Sequence, residues 1–147
     1  MSSRRWWWIG GIAALAAVAA VVLVTATRSD AEGACEAPTA APTSETALMP
    51  EGLSFDQIGT VTHVEKKEPN VEVTAVSEKP LDELTVLIQD AVTAAGYQPA
   101  GMDNEGDEAE VFFQSGSLAA GQARVEESGC EGQWEIELVL LDRTAGG

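Results

Sequence analysis

An uncharged run of 22 residues, from Trp6 to Thr27, constrains the fold of this chain more than any other feature. As an α-helix rising about 1.5 Å per residue it would reach roughly 33 Å, enough to cross a bilayer core of about 30 Å. Arg4 and Arg5 precede the run, whereas Asp30 and Glu32 follow it. Because positively charged flanks stay on the cytoplasmic side, the sequence predicts a single-pass membrane anchor with its N-terminus inside and the rest of the chain outside.

Three tryptophans open the run. Trp6, Trp7 and Trp8 stand where aromatic rings prefer to lie, at the cytoplasmic interface of the bilayer. A cleaved signal peptide is the alternative interpretation, since Val24–Ala26 and Ser29–Ala31 both offer small residues at cleavage positions. The run is longer than the roughly 15 residues of a typical signal-peptide core, which favours a retained anchor. Both interpretations place the bulk of the chain outside the cytoplasm.

The charge balance narrows the possible partners. The chain carries 8 Lys and Arg, 24 Asp and Glu, and a formal net charge of −16. No basic face can be built to follow a phosphate backbone, so nucleic-acid binding is not expected. Two cysteines and one histidine also rule out Cys₄ and Cys₂His₂ zinc sites. The acidity fits a docking face for a basic partner, a reservoir for cations, or simple solubility of an exported domain.

Composition divides the chain into four segments. Residues 1–27 comprise a cytoplasmic stub and the anchor. Residues 28–52 are rich in Ala, Pro, Thr, Ser and Glu without apolar periodicity, which is typical of an extended tether. A folded extracytoplasmic domain is predicted over 53–143, followed by a loose tail at 144–147.

One amphipathic helix is predicted from Pro80 to Ala95. Proline suits a first helical position, and apolar residues then recur at the three, four and seven spacing of a single helix face. Such a face must cover something, and the best partner is the alternating strand near the C-terminus. The predicted core contacts are Leu84, Ile88 and Val92 on the helix, and Trp134, Ile136 and Leu138 on the strand.

Alternation of apolar and polar residues predicts strands with one wet face, as in an antiparallel sheet. The strands are expected at 58–64, 71–76, 109–113, 119–126 and 134–141, with room for a further short strand at 97–102. In the fourth of these, the positions assigned to one face are Ala119, Gly121, Ala123 and Val125. The sequence therefore predicts an α+β domain of order ββαβββ, with one helix packed on an antiparallel sheet.

The pattern over residues 58–142 carries a resemblance. A proline-led amphipathic helix that ends in the sequence Ala94 to Tyr97, then a turn rich in glycine and acidic residues, then three strands, resembles small exported, membrane-anchored α+β domains of high-GC Gram-positive bacteria. The resemblance implies the same fold and a location outside the cytoplasm. It brings no catalytic residues to this chain.

Cys35 and Cys130 are 95 positions apart, and cysteines outside the cytoplasm usually oxidise together. An intramolecular bridge is therefore predicted, with an intermolecular bridge or two free thiols as alternatives. Cys35 stands too far beyond the apolar run for lipidation. Seven residues separate it from Thr27, and they reach about 25 Å at most, so a bridge would hold the Cys130 turn close to the membrane.

An acidic segment, Asp103 to Glu108, suggests a calcium loop at first sight, because hard cations favour clustered carboxylates. The EF-hand spacing fails, however. Counted from Asp103, the sixth position is Glu108 where glycine is required, and the twelfth is Gln114 where glutamate is required. A solvated acidic turn between two strands is the better interpretation, and no metal site is predicted.

The other chemically suggestive side chains have structural interpretations as well. His63 lies in a strand pattern without an accompanying nucleophile motif, so a surface histidine is expected. Glu135 and Glu137 project from the same face of one strand, as a glycosidase pair could. Alternating acids on the wet face of an edge strand, where they oppose edge-to-edge association, are the favoured interpretation. No catalytic residue and no cofactor is predicted.

The function expected from these features is that of a non-enzymatic, membrane-anchored extracytoplasmic domain. It would bind or support another envelope component, as an accessory subunit of a membrane complex could, with the lipid bilayer and a protein in or near the membrane as partners. A small soluble-ligand or cation-binding module is the alternative.

Overall fold

A computed structural model describes residues 35–142. In chain order its helices and strands are α1 (Thr43–Thr46), β1 (Thr60–Lys67), β2 (Asn70–Ser77), α2 (Leu81–Ala94), β3 (Gln98–Asn104), β4 (Glu108–Ser115), β5 (Leu118–Glu127) and β6 (Trp134–Leu141). The strands form one antiparallel six-stranded sheet in the order β1–β2–β6–β5–β4–β3. The predicted α+β class is confirmed.

The predicted order ββαβββ is one strand short, because four strands follow α2. The additional strand is β3, in the segment where the sequence leaves room for one, and it forms an edge of the sheet. All seven of its residues are exposed, and they include Pro99 and Gly101. A strand with no buried face leaves no period-two pattern, so its sequence is not typical of a strand.

Helix α2 buries the face that its apolar spacing indicates. The helix begins one residue later than predicted, because Pro80 takes the N-cap position. Leu84, Ile88 and Val92 are at most 1% exposed. Gly96, with φ of 88°, follows the helix in the left-handed conformation that glycine adopts without strain.

The sheet supplies the other wall of the core. Ile136 and Leu138 are fully buried, whereas Trp134, at the start of β6, is only partly buried and packs against the core from its end. Leu53 and Phe55, in the segment before β1, are also buried in this core. The helix and this segment therefore share one face of the sheet.

A β-bulge in β5 changes which of its residues face the core. Gly121 pairs with Phe113 and Ala119 pairs with the next residue of β4, so Ala120 is the extra residue. Ala120 is buried and Ala119 is exposed, the reverse of the alternation predicted from Ala123 backwards. A bulge inserts one residue and shifts the phase of every position before it.

Residues 35–52 are attached to the domain at two places. The predicted bridge between Cys35 and Cys130 is present, with 5.9 Å between the two Cα atoms. The Ala41 amide donates to the carbonyl of Val61 at 2.8 Å, which attaches the segment to the outer edge of β1. Together, these contacts close a loop from the β5–β6 turn to the β1 edge.

The predicted anchor, including Arg4, Arg5 and Trp6 to Trp8, lies outside the described residues, and so does the predicted tail. Over residues 35–142, none of the helices has the length and hydropathy needed to cross a membrane.

Candidate functional site

The side of the sheet that points away from α2 is the candidate site, and we call it the open face. Helix α2 packs on β3 and β4 and α1 on β1, so no helix or strand of residues 35–142 covers the centre of this face. Its side chains alternate with the buried ones along the strands. Acidic side chains dominate it: Glu65, Glu72, Asp103, Glu108, Glu110, Glu126, Glu135 and Glu137.

Arg124 on β5 lies at the centre of the last six of these carboxylates, which we call the acidic half. Its Nε donates to Glu108 at 2.7 Å, and its guanidinium lies 3.2 Å from Glu126. In the strand register it stands opposite Glu110 on one side and Glu137 on the other. The hydrogen bond and charge of Glu108, followed by the charges of Glu126 and Glu110, raise the pKa of Arg124. One guanidinium is thus shared among several carboxylates, and the acidic half keeps a net negative charge.

Three pairs of glutamates stand directly opposite each other across neighbouring strands, an arrangement that destabilises a sheet. In one of them, Glu108 and Glu126 are both contacted by Arg124. Glu65 faces Glu72, and Lys67 relieves their repulsion at 3.1 and 2.7 Å; these hydrogen bonds raise the pKa of Lys67. Glu126 faces Glu135. Within the described part of the chain, Glu135 makes no ion pair within 4.0 Å. The Glu126–Glu135 pair is therefore compensated only through the contact of Arg124 with Glu126.

An apolar groove of about 500 Å³ adjoins the acidic half along the same strands. Its apolar lining consists of Ala100, Phe112, Phe113, Ala119, Ala120, Val139 and Leu141. Phe112 on β4 pairs with Gln122 on β5, which pairs with Val139 on β6, so these side chains form one row across the sheet. The row of Glu110, Arg124 and Glu137 comes next along the strands, so the open face changes from apolar to acidic within one row.

The acidic segment 103–108 forms the hairpin between β3 and β4. The side-chain oxygen of Asn104 accepts from the amide of Gly106 at 2.9 Å, and the Glu105 amide donates to the carbonyl of Glu108 at 2.9 Å. The guanidinium of Arg124 lines the shallow depression beside it. Among residues 35–142, no three His, Cys, Asp or Glu side chains converge in the manner of a metal site.

His63 is exposed on β1 and connects that strand to α1. Its Nδ1 lies 2.8 Å from Oε2 of Glu45, and the same oxygen accepts from the Val64 amide at 3.2 Å. The Glu45 carboxylate thus accepts a hydrogen bond from a backbone amide at the edge of β1. This contact gives His63 a role in holding the segment before β1.

The prediction that Glu135 and Glu137 lie on an edge strand is wrong. Their strand, β6, lies between β2 and β5 in the interior of the sheet. The chain returns from the far edge through β3, β4 and β5, and β6 then closes the sheet against the first hairpin. Sequence order does not reveal that β6 is interior, because the last strand of a chain can equally pair at an outer edge of the sheet. The two glutamates therefore belong to the centre of the open face.

The apolar groove is the part of the site that sequence reasoning missed. One signal for it exists: Val139, Leu140 and Leu141 are consecutive apolar residues at the end of an otherwise alternating strand. Leu140 is buried in the core, so its two neighbours point to the opposite side. Phe112, 36% exposed beside the buried Phe113, repeats the pattern on β4.

Comparison of the chain with protein-family models, with curated proteins and with solved structures finds no match.

Proposed function

We propose that this chain is a non-enzymatic extracytoplasmic domain, anchored in the membrane by residues 6–27, that binds or supports another component of the cell envelope. The form that we favour is an accessory subunit of a membrane complex. The open face carries the proposal, because an acidic half and an apolar groove lie side by side on a sheet face that no described helix or strand covers. An apolar centre beside polar and charged groups is the usual anatomy of a protein–protein interface.

The bridge between Cys35 and Cys130 supports the exported location. Disulfides form and persist mainly in oxidising compartments, which lie outside the bacterial or eukaryotic cytosol. The net charge of −16 keeps the domain soluble and repels it from anionic lipid headgroups. The domain would accordingly be available to a protein partner rather than adsorbed to the bilayer.

The arrangement of the carboxylates favours binding over catalysis. Enzymes gain most of their electrostatic advantage in sites that exclude water. Here Glu126, Glu135 and Glu137 are exposed on an open surface. The groove beside them presents mainly alkyl and phenyl groups, which supply contact area to a partner and no proton-transfer group.

The acidic depression favours a second candidate function, that of a cation-binding module. Carboxylates of Asp103, Glu105, Glu108 and Glu110 line it, and hard cations prefer such oxygens. Arg124 places a positive charge in the same depression and opposes cation binding. A rise in melting temperature of the full chain with millimolar Ca²⁺, absent with equal ionic strength of NaCl, would support this second function.

Two measurements test the first proposal. Protease added to intact spheroplasts should remove the domain, and full protection of the domain would refute the exported location. A mature chain that begins at Thr27 or Glu32 would refute the anchor alone.

The binding role is tested by crosslinking the full chain in its native membrane and identifying the attached proteins. The open-face variant Glu135→Lys, Glu137→Lys should lose a specific membrane protein that the wild type retains. Asp90→Lys, an exposed charge reversal on α2, is the matched control and should retain it. Equal recovery with all three chains would contradict binding through the open face.

A further inference from the structure

We infer that the open face is built for a basic segment of a partner protein, which places one apolar side chain in the apolar groove and Lys or Arg side chains over the acidic half. The inference rests on the proposed function and adds to it the chemistry and the spacing of the partner. Each of the two regions alone would fit many surfaces. Their adjacency on the same strands restricts the fit to a segment that is apolar at one end and basic at the other.

The strand geometry gives the spacing. On β4, Phe112 stands in the groove, and Glu110 and Glu108 follow at two-residue steps on the same face. Phe112 and Glu108 are thus separated by roughly 13 Å, at about 3.3 Å per residue. An extended partner segment covers that distance in four residues. With its apolar residue at position i, Lys or Arg at positions two and four residues away would face the two acidic rows.

The incompletely compensated repulsion between Glu126 and Glu135 supports this assignment. Glu126 and Glu135 face each other, and Glu137 lies one row closer to the groove on the same face of β6. A cation placed above the pair would turn a destabilising contact into a favourable one. Departures from the most stable arrangement are expected where a surface serves binding rather than folding. The partner's basic side chains would add positive charge beside Glu135, where Arg124 reaches only the opposite glutamate, Glu126.

Other occupants of the groove fit less well. A second copy of the chain carries the same net charge of −16, and an isologous contact through the open face would bring acidic side chains against acidic side chains. An anionic lipid surface is repelled for the same reason. A neutral apolar peptide would fill the groove and leave the acidic half unused.

The test is an unbiased selection. A random 12-residue peptide library displayed on phage is selected against the full chain in detergent micelles at low salt. We expect the bound sequences to be enriched in an apolar residue with Lys or Arg two and four positions away. The affinity of a selected peptide should fall about tenfold or more in 0.5 M NaCl, because salt screens exposed charge pairs.

Matched variants separate the two halves of the surface. Phe112→Ser should weaken the selected peptide at least about tenfold, the usual effect of losing an apolar anchor. Val86→Ser is its control, because Val86 is 56% exposed on α2 and lies away from the open face. Glu110→Lys should weaken binding and reduce its salt dependence, whereas Asp90→Lys should change neither.

Several outcomes would overturn the inference. Enrichment of acidic or uncharged peptides would rule out a basic partner segment. Selection of the same sequences by the wild type and by the Glu110→Lys chain would rule it out as well. Basic peptides that bind the Phe112→Ser chain with the same affinity as the wild type would show that the apolar groove takes no part in binding. A change in oligomeric state on Phe112→Ser would assign the groove to a second copy. Protected topology in spheroplasts, in contrast, would refute the proposed function while leaving the peptide result intact, so the two failures are distinguishable.

Discussion

Replacing Gly121 by alanine should destabilise the domain by about 3 kcal/mol, because β5 and β6 approach each other too closely at this position for a side chain. A Cβ there would overlap the carbonyl oxygen of Val139 and lie 2.8 Å from Cδ2 of Leu140. Overpacking of this kind costs about 1–3 kcal/mol. The backbone, at φ of 154°, adds roughly 1 kcal/mol of strain for a residue with a side chain. The overlap with the Val139 carbonyl is with backbone, so rotating the Leu140 side chain cannot remove it.

Gly116→Ala is the matched control. Gly116 also has a positive φ, of 63°, but a Cβ there would meet no atom within 4 Å. Its substitution should cost only the left-handed backbone penalty of about 1 kcal/mol. At about 4 °C per kcal/mol for a domain of this size, we expect the melting temperature to fall by about 12 °C for Gly121→Ala and about 4 °C for the control. Equal losses in thermal or urea unfolding would show that the bulge and the pairing of β5 with β6 are assigned wrongly.

Three further predictions concern the core, the bridge and the charges. Ile88→Ala should lower the free energy of unfolding by about 2–5 kcal/mol, because this side chain is 1% exposed. Val86→Ala on the same helix should cost well under 1 kcal/mol, and an unchanged melting temperature for Ile88→Ala would contradict the assigned helix face. A Cys35→Ser, Cys130→Ser variant should lose up to about 4.7 kcal/mol, the chain-entropy value for a loop near 100 residues, and alkylation of two free thiols in the native, unreduced wild type would refute the bridge. The hydrogen bonds and charges of Glu72 and Glu65 raise the pKa of Lys67, so the stability that they contribute is fully present below pH 10.5 and is lost as the pH rises from 10.5 through the raised pKa of the folded state. Melting curves of wild type and Lys67→Met should therefore differ at pH 8 and converge as the pH rises beyond 10.5, and a constant difference would show that charge is not the cause.

The regular parts of the fold were open to prediction because burial on one side imposes a period on the sequence. Ile88 and Val92 recur at helical spacing, and Ile136 and Leu138 at strand spacing, and all four are buried. The predicted element order omits the edge strand β3 because this strand has no buried residue. The phase of β5 before Gly121 was misassigned because a one-residue bulge has no signature among alanines and glycines.

The open face was less accessible to sequence reasoning than the core. The acidity of Glu135 and Glu137 was evident, but their place at the centre of the sheet depends on β6 pairing with β2, a contact between distant parts of the chain. Phe112 belongs to the groove only because Val139 lies in the same row, two strands away. Local patterns indicate which side of a strand is wet, and they do not indicate which strands are neighbours.

The contacts along β1 also limit how copies of this domain could polymerise. The Ala41 amide and the Glu45 carboxylate already bond to the outer edge of β1, whereas β3, at the opposite edge, is exposed along its whole length. These bonds obstruct the Val61 to Val64 part of β1 as a template for another strand, whereas the β3 edge carries no such cover among the described residues. Fibre growth requires two open edges. The segment that precedes β1 thus opposes strand-by-strand growth at that edge.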